Sequence, residues 1–359
     1  MRLVPIVSVK EGYILGKSLY NENGQLLIAK NTGLTQSMIS KIVSLGYNSV
    51  YIASQYTENE IDDIIKPKFV QKTMLLSKRI SGMIVSKKGN IHSSLGELSD
   101  IVDEIIDEIL NSREIFLNLL NVSSYDDYTY KHCLNVMFLS ISIGRTLGYT
   151  KGQLHDLAIG ALFHDIGKLF VPKDILLKPS ALSNQEFELM KSHSRKGFDF
   201  LKEYTDLSAI IRIVSLDHHE KWDGTGYPQG KKGDEIHPFG RIVAACDVFE
   251  ALTANRPYRK EISLWEAREY ILGGGGSFFD FQIVQAFAQT VNPFPVGSYV
   301  RLSDGREGMV KSSNKNFYTR PVVEIHCEQG RKIDPYTFDM LDINSIIVED
   351  IIPDFSYTA

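Results

Sequence analysis

Five of the chain's nine histidines, His132, His164, His193, His218 and His219, fall in one stretch, with Asp165 beside His164 and Asp247 following. A lone histidine on an apolar face is more often a core or surface residue than a ligand. Five in one region with two aspartates point to a shared site. His164-Asp165 interrupts the apolar run LAIGALFHDIGKLFVP, where an unpaired buried carboxylate would be costly. Asp247 repeats the problem in RIVAACDVFEALTA, since a carboxylate among apolar residues needs a cation or a donor. A bound metal would neutralise both. Imidazole and carboxylate donors without thiolates suit iron, manganese, cobalt or zinc, and a carboxylate can bridge two ions. Seven ligands are too many for one ion. Two ions about 3.5–4 Å apart can hold a bridging hydroxide for in-line attack on phosphorus while stabilising the phosphate oxygens, so phosphoester hydrolysis is the expected chemistry.

The rest of the chain must position this set. With 359 residues, 43% of them hydrophobic and 23% charged, the composition is that of a globular protein large enough for two or three compact units. Residues 1–58 alternate short apolar runs with turn signals such as Asn23-Gly24 around one helix-like stretch, LTQSMISKIVSLG, which predicts a small α/β unit. Residues 59–120 turn helical, with Ile101, Ile105, Ile106 and Ile109 at three- and four-residue steps among acidic residues. This helical connector offers a face on which two chains could form a homodimer, although such a stripe more often faces the chain's own core. Residues 121–291 hold the histidines and further helical stripes, including Ile242, Ala245, Cys246, Phe249 and Leu252, and are the expected catalytic domain. Residues 292–359 read as short strands around the turn Ser303-Asp304-Gly305, a small β-rich appendage. The predicted fold class is mainly α, with a small α/β unit before the helical domain and a small β unit after it.

Several function classes are disfavoured. A net charge of −5 and a pI near 6.0 supply no basic field for polymeric nucleic acid. Cys133, Cys246 and Cys327 lie far apart without a CxxC pair, which argues against a disulfide framework or a thiolate zinc site and fits a reducing, cytoplasmic setting. Cys133 and Cys246 each neighbour a proposed ligand, but adjacent helical positions point about 100° apart, so both are expected to be small core residues. MRLVPIVSVKEGYILG lacks the pattern of a secretory leader, and no long apolar stretch predicts membrane insertion. Gly224-Thr225-Gly226 lacks a third glycine at position 229, and neither Gly16-Lys17-Ser18 nor Gly167-Lys168 completes a phosphate loop.

The order His132, His164-Asp165 with Lys168, His193, His218-His219 and Asp247 resembles the HD phosphohydrolase superfamily. The block HHEKWDGTGYP, His218 to Pro228, resembles the signature of its HD-GYP subgroup. The resemblance covers roughly residues 115–290, through DDYTYKH, FHDIGK, KSHSRKG, the HHE to GYP block and CDVFEALTANRPYR. It implies a helical HD-type catalytic domain that cleaves cyclic di-GMP to linear pGpG, in some cases continuing to GMP. It also implies that His132, His164 and Asp247 hold one metal, that His193, His218 and His219 hold the other, and that Asp165 bridges them; from the donor types, iron or manganese are the expected ions. Three-metal relatives carry a glutamate where this chain has Tyr128, so two ions are expected.

Lys168 follows Asp165 by three residues, so on a helix its ammonium shares that face and reaches the scissile phosphate or leaving oxygen. Arg256 and Arg259 flank Pro257-Tyr258 and suit the second phosphate of a dianionic ligand. Gly226, Tyr227 and Pro228 form a turn that brings backbone and the tyrosine ring to the substrate. Ser194, in place of a threonine, and FFDFQ, without a proline near Asp280, depart from the subgroup pattern but remove no ligand. The alternatives are a catalytically weak cyclic-dinucleotide sensor, or an HD hydrolase acting on cyclic GMP-AMP or another nucleotide.

Overall fold

The computed structural model describes residues 1–20, 26–45, 47, 49–53, 67–86, 89–112, 128–254, 262–314 and 317–355; Arg256 and Arg259 lie outside them, as do Asn23 and Gly24. Its elements run β1 (Arg2–Pro5), β2 (Leu19–Tyr20), β3 (Leu26–Ile28), α1 (Gln36–Ser44), β4 (Ser49–Ile52), α2 (Pro67–Ser86), α3 (Ile91–Asn111), α4 (Tyr128–Thr146), α5 (Lys151–Leu162), a 3-10 turn (Ile166–Phe170), α6 (Lys173–Leu176), α7 (Asn184–Tyr204), α8 (Ala209–Asp217), α9 (Pro238–Thr253), α10 (Leu264–Gly273) and α11 (Phe281–Thr290). Strands β5 (Tyr299–Leu302), β6 (Glu307–Ser312), β7 (Val322–Glu328), β8 (Arg331–Asp339) and β9 (Val348–Ile352) follow. The mainly helical class with a small antiparallel C-terminal sheet is the one the sequence pattern predicts.

The described residues form two compact units, one within residues 1–63 and 291–359 and the other within 64–112 and 128–290. In the first, β1 pairs antiparallel with β4, from Arg2 opposite Ile52 to Pro5 opposite Ser49. Val4, Leu15, Leu34, Ile42 and Val50 form the core under that pair and α1. The later strands make one antiparallel sheet in the order β8-β7-β6-β5-β9. Its β5–β6 connection turns at Gly305, whose φ of +84° is a conformation that glycine adopts without Cβ strain.

In the second unit the apolar stripe of α3 fixes the packing. Ile101, Ile105, Ile106 and Ile109 are each at most 1% exposed, and α3 packs against α2 and α5. Burying such a side chain contributes roughly 1.5–3 kcal/mol, so Ile105→Asp would break this seam. The stripe offered above as a dimer contact is therefore occupied within the chain itself. Helix α7 starts at Ser183, whose side chain and Glu186 form a reciprocal capping box, and Thr150 with Gln153 does the same for α5. Helices α4, α5, α7, α8 and α9 pack on one another; His132 lies on α4, His193 on α7 and Asp247 on α9, while His218 caps the end of α8.

Candidate metal centre

The first departure from the sequence reading is at His164-Asp165. They do not continue a helix: α5 ends at Leu162, and Asp165 precedes the 3-10 turn. In 3-10 geometry residues i and i+3 eclipse, so Lys168 stands directly over Asp165 and its Nζ donates to Asp165 Oδ2. That tight turn packs on α7, where a Cβ on Gly167 would lie 1.9 Å from the His193 carbonyl oxygen. Only glycine lets the two backbones approach so closely, and the approach sets Asp165 beside His193.

Asp165 is 3% exposed and lies between two groups of imidazoles. Its Oδ2 faces His164 Nε2 at 3.4 Å and His132 Nε2 at 3.6 Å, whereas Oδ1 faces His193 Nε2 at 3.3 Å and His218 Nε2 at 3.7 Å. Asp247 lies 3.0 Å from His132 Nε2 through Oδ1 and 3.8 Å from His219 Nδ1 through Oδ2. The structure thus brings all seven sequence-predicted residues together, as a set of His132, His164 and Asp247 and a set of Asp165, His193, His218 and His219, with the donor atoms of each set within 4.8 Å of one another.

The rings are aimed by what holds their far nitrogens. His164 Nδ1 contacts the Ala161 carbonyl at 2.6 Å, His193 Nδ1 the Met190 carbonyl at 2.6 Å, and His218 Nδ1 the Ser215 carbonyl at 2.9 Å. A carbonyl only accepts, so each Nδ1 carries a proton and each Nε2 is turned to the interior. His132 is held differently: its Nδ1 contacts Glu250 Oε2, and Asn135 donates to Glu250 Oε1 at 3.2 Å. A carboxylate behind a ligating histidine orients the ring and raises its basicity.

Charge follows this arrangement. Burial opposes a proton on His132, but Glu250 and Asp247 outweigh it and raise its pKa to about 10. His164 is likewise buried yet held well above the ordinary imidazole value by Asp165. Burial, with imidazole neighbours, pushes His218 well below that value, and burial takes His219 down to about 3. Burial would raise Asp165 and Asp247, but Lys168 and His164 hold the first, and His132 the second, well below the usual carboxylate range.

A divalent ion fits this donor set. Asp165 Oδ1 is fully buried and accepts no hydrogen bond of normal geometry, a costly state unless a cation completes it. The converging atoms are imidazole nitrogens and carboxylate oxygens, donors for first-row transition metals. One sulfur adjoins them: the buried Cys133 Sγ lies within 4.8 Å of donor atoms of His164 and Asp165. The sequence reading of Cys133 as a core residue is right about burial but misses this proximity. Cys246 is buried, and burial pushes its thiol up to about 12.

The loop after His219 forms the outer wall. Glu220, 3% exposed, accepts from Gln229 N at 2.7 Å and Lys231 N at 3.0 Å, while Asp217 accepts from Lys231 Nζ at 2.7 Å and His237 N at 3.0 Å. A Cβ on Gly226 would come within 2.4 Å of Lys221 N, so the loop folds back on itself there. Pro228 follows through a cis bond to Tyr227, whose ring lies 4.6 Å from that of His219. Burial raises the Tyr227 hydroxyl above its ordinary range, so it keeps its proton. Glu250, Asn135, Asp217 and Glu220 were missed from sequence; Glu250 carries the signal that marked Asp247, a carboxylate in an apolar helical stripe.

The model of the family described as "HD domain" matches residues 105–283. The chain is 37% identical over 237 residues to a cyclic di-GMP phosphodiesterase of Pseudomonas aeruginosa, covering 66% of this chain and 56% of that protein. It is 33% identical over 260 residues to a cyclic di-GMP phosphodiesterase of Thermotoga maritima, covering 68% of this chain and 69% of the relative. In fold it is similar to an HDG"Y"P protein from Bdellovibrio bacteriovorus, with a TM-score of 0.54, 15% identity, and coverage of 79% of this chain and 97% of that one. Among the described residues no helix is long and apolar enough to cross a membrane.

Proposed function

The chain belongs to the HD-domain family, and from that premise we propose that it is a cytoplasmic, metal-dependent phosphodiesterase that hydrolyses cyclic di-GMP to linear pGpG. The observation that carries this reading is the Asp165 carboxylate, buried with one oxygen toward His132 and His164 and the other toward His193 and His218. We assign His132, His164 and Asp247 to one divalent ion, His193, His218 and His219 to a second, and Asp165 to both, with iron or manganese as the expected metals. Such a pair supplies a water of lowered pKa for in-line attack and charge neutralisation at the phosphate.

The chain's own groups do the rest. Burial would strip the proton from Lys168, but Asp165 and Asp247 retain it, so the ammonium is available to the scissile phosphate and the departing 3′ oxygen. Its side chain is 27% exposed, whereas that of Asp165 is 2% exposed. We assign the protonated Tyr227 hydroxyl as a donor to the substrate, on a backbone bent at Gly226 and Pro228. Arg256 and Arg259 follow α9 in sequence, and we assign them to the second phosphate.

The deciding experiment is anaerobic hydrolysis of cyclic di-GMP by metal-analysed protein supplied with iron or manganese, alongside Asp165→Asn and Arg256→Ala. Release of pGpG that vanishes with Asp165→Asn, while Arg256→Ala mainly raises KM, is the expected result. Binding without cleavage by fully metallated protein would mark a sensor instead. Faster turnover of cyclic GMP-AMP in competition would reassign the substrate.

A further inference from the structure

Outside the metal cluster, one group of side chains leads from it to solvent with no role yet. Phe187, Glu188 and Lys191 lie on α7, the helix that delivers His193. Phe187 and Lys191 are four residues apart and share a face, and Lys191 Nζ sits 5.3 Å from the Phe187 ring centroid and 5.8 Å from that of Tyr227. The Phe187 and Tyr227 rings meet edge to face at 6.4 Å, and Tyr227 rests on His219. Phe187 is nonetheless 47% exposed, a large aromatic surface left open beside the reactive centre. Lys191 is paired with Glu188 at 2.5 Å, but the Glu188 side chain is 70% exposed. The Lys191 side chain is 24% exposed, and a pair with one partner in solvent contributes little to stability, so Glu188 can turn to a ligand at small cost beside the ammonium.

We propose that Phe187, Glu188, Lys191 and Tyr227 form a purine subsite that selects guanine over adenine. A base stacks on the exposed Phe187 ring with the Tyr227 ring at its edge, Lys191 Nζ donates to O6 and N7, and the Glu188 carboxylate accepts from N1–H and the N2 amino group. Adenine places an amino donor where guanine has O6 and lacks the N1–H and N2 donors, so it meets Lys191 donor to donor and leaves Glu188 unsatisfied. Continuity with the cluster through Tyr227 and His219 identifies the occupant as a base of the dinucleotide whose phosphate lies at the metals. The inference thus rests on the phosphodiesterase reading and adds its base specificity.

The test measures turnover and calorimetric binding of cyclic di-GMP and cyclic di-AMP with metal-loaded wild type, Glu188→Gln, Lys191→Met and Phe187→Ala. Guanine preference in wild type should fall about tenfold or more in each polar variant, through KM with kcat nearly constant. Phe187→Ala should weaken both ligands alike, because stacking does not read the base edge. A ratio unmoved in both polar variants, or a wild type without guanine preference, overturns the subsite and leaves the phosphodiesterase standing. Guanine-selective binding without cleavage removes the phosphodiesterase, and the binding ratios of the variants then decide the subsite. A wild type that binds and cleaves neither ligand removes both.

Discussion

The two halves of the histidine cluster share most of their anchoring and part at one ring. His193 and His218 are aimed by main-chain carbonyls of their own helices, whereas His132 is aimed by Glu250, a carboxylate from a different helix. The consequence is electrostatic. Without an ion, the His132 side stores protons, with a pKa raised to about 10, while His219 on the other side stays neutral down to about 3. A metal entering the first half must displace a proton; one entering the second meets lone pairs already exposed. Similar donors therefore make two unequal sites, and the difference comes from the groups behind the rings.

Removing what the halves share should have the largest effect. Asp165→Asn is expected to lower turnover at least ~100-fold, since metal-derived charge stabilisation of several kcal/mol is lost, and metal analysis should show both ions weakened. Retention of two tightly held ions would remove Asp165 as the bridge. Next, Glu250→Gln should weaken one ion by roughly 10–100-fold, the usual range for a carboxylate behind a ligating histidine. Calorimetry should show the other affinity nearly unchanged; equal weakening of both would erase the distinction between the halves.

The pH dependence sharpens the same comparison. Because His132 has a raised pKa, its proton is present at low pH and lost as pH rises through about 10. Apparent affinity of the His132 half should thus climb with pH, by about tenfold per unit for each proton displaced, whereas His219, neutral above about pH 3, gives up no proton to an ion. Titrations with manganese across neutral pH would reveal that slope, and two constants unmoved by pH would remove the proton from His132. The smallest effect is structural: Gly226→Ala drives a Cβ to 2.4 Å from Lys221 N and should cost ~1–3 kcal/mol, read as a lower thermal midpoint.

The sequence exposed the seven clustered residues because each violates its surroundings, a charged or imidazole side chain within an apolar run. The same test applied one turn past Asp247 would have found Glu250, since both interrupt the stripe of α9. Asn135 carried no such mark, because a neutral amide between helical residues is unremarkable without its partner. The helices were legible from their stripes and the C-terminal strands from their turns. The break after α5 was not, because the apolar run continues through it and only the approach of Gly167 to α7 shows why the chain tightens. Nor was the grouping of residues 1–63 with 291–359 in one compact unit, which depends on contacts between segments far apart in sequence.

The anchoring carbonyls recur at one offset: Ala161 for His164, Met190 for His193 and Ser215 for His218, each three residues upstream. Ring and helical turn are consequently one mechanical part, and unwinding the turn rotates the imidazole away. Nitrogen chemical shifts of those three rings would therefore serve as gauges of local helix order, reporting fraying in α5, α7 or α8 at temperatures where the bulk of the chain is still folded.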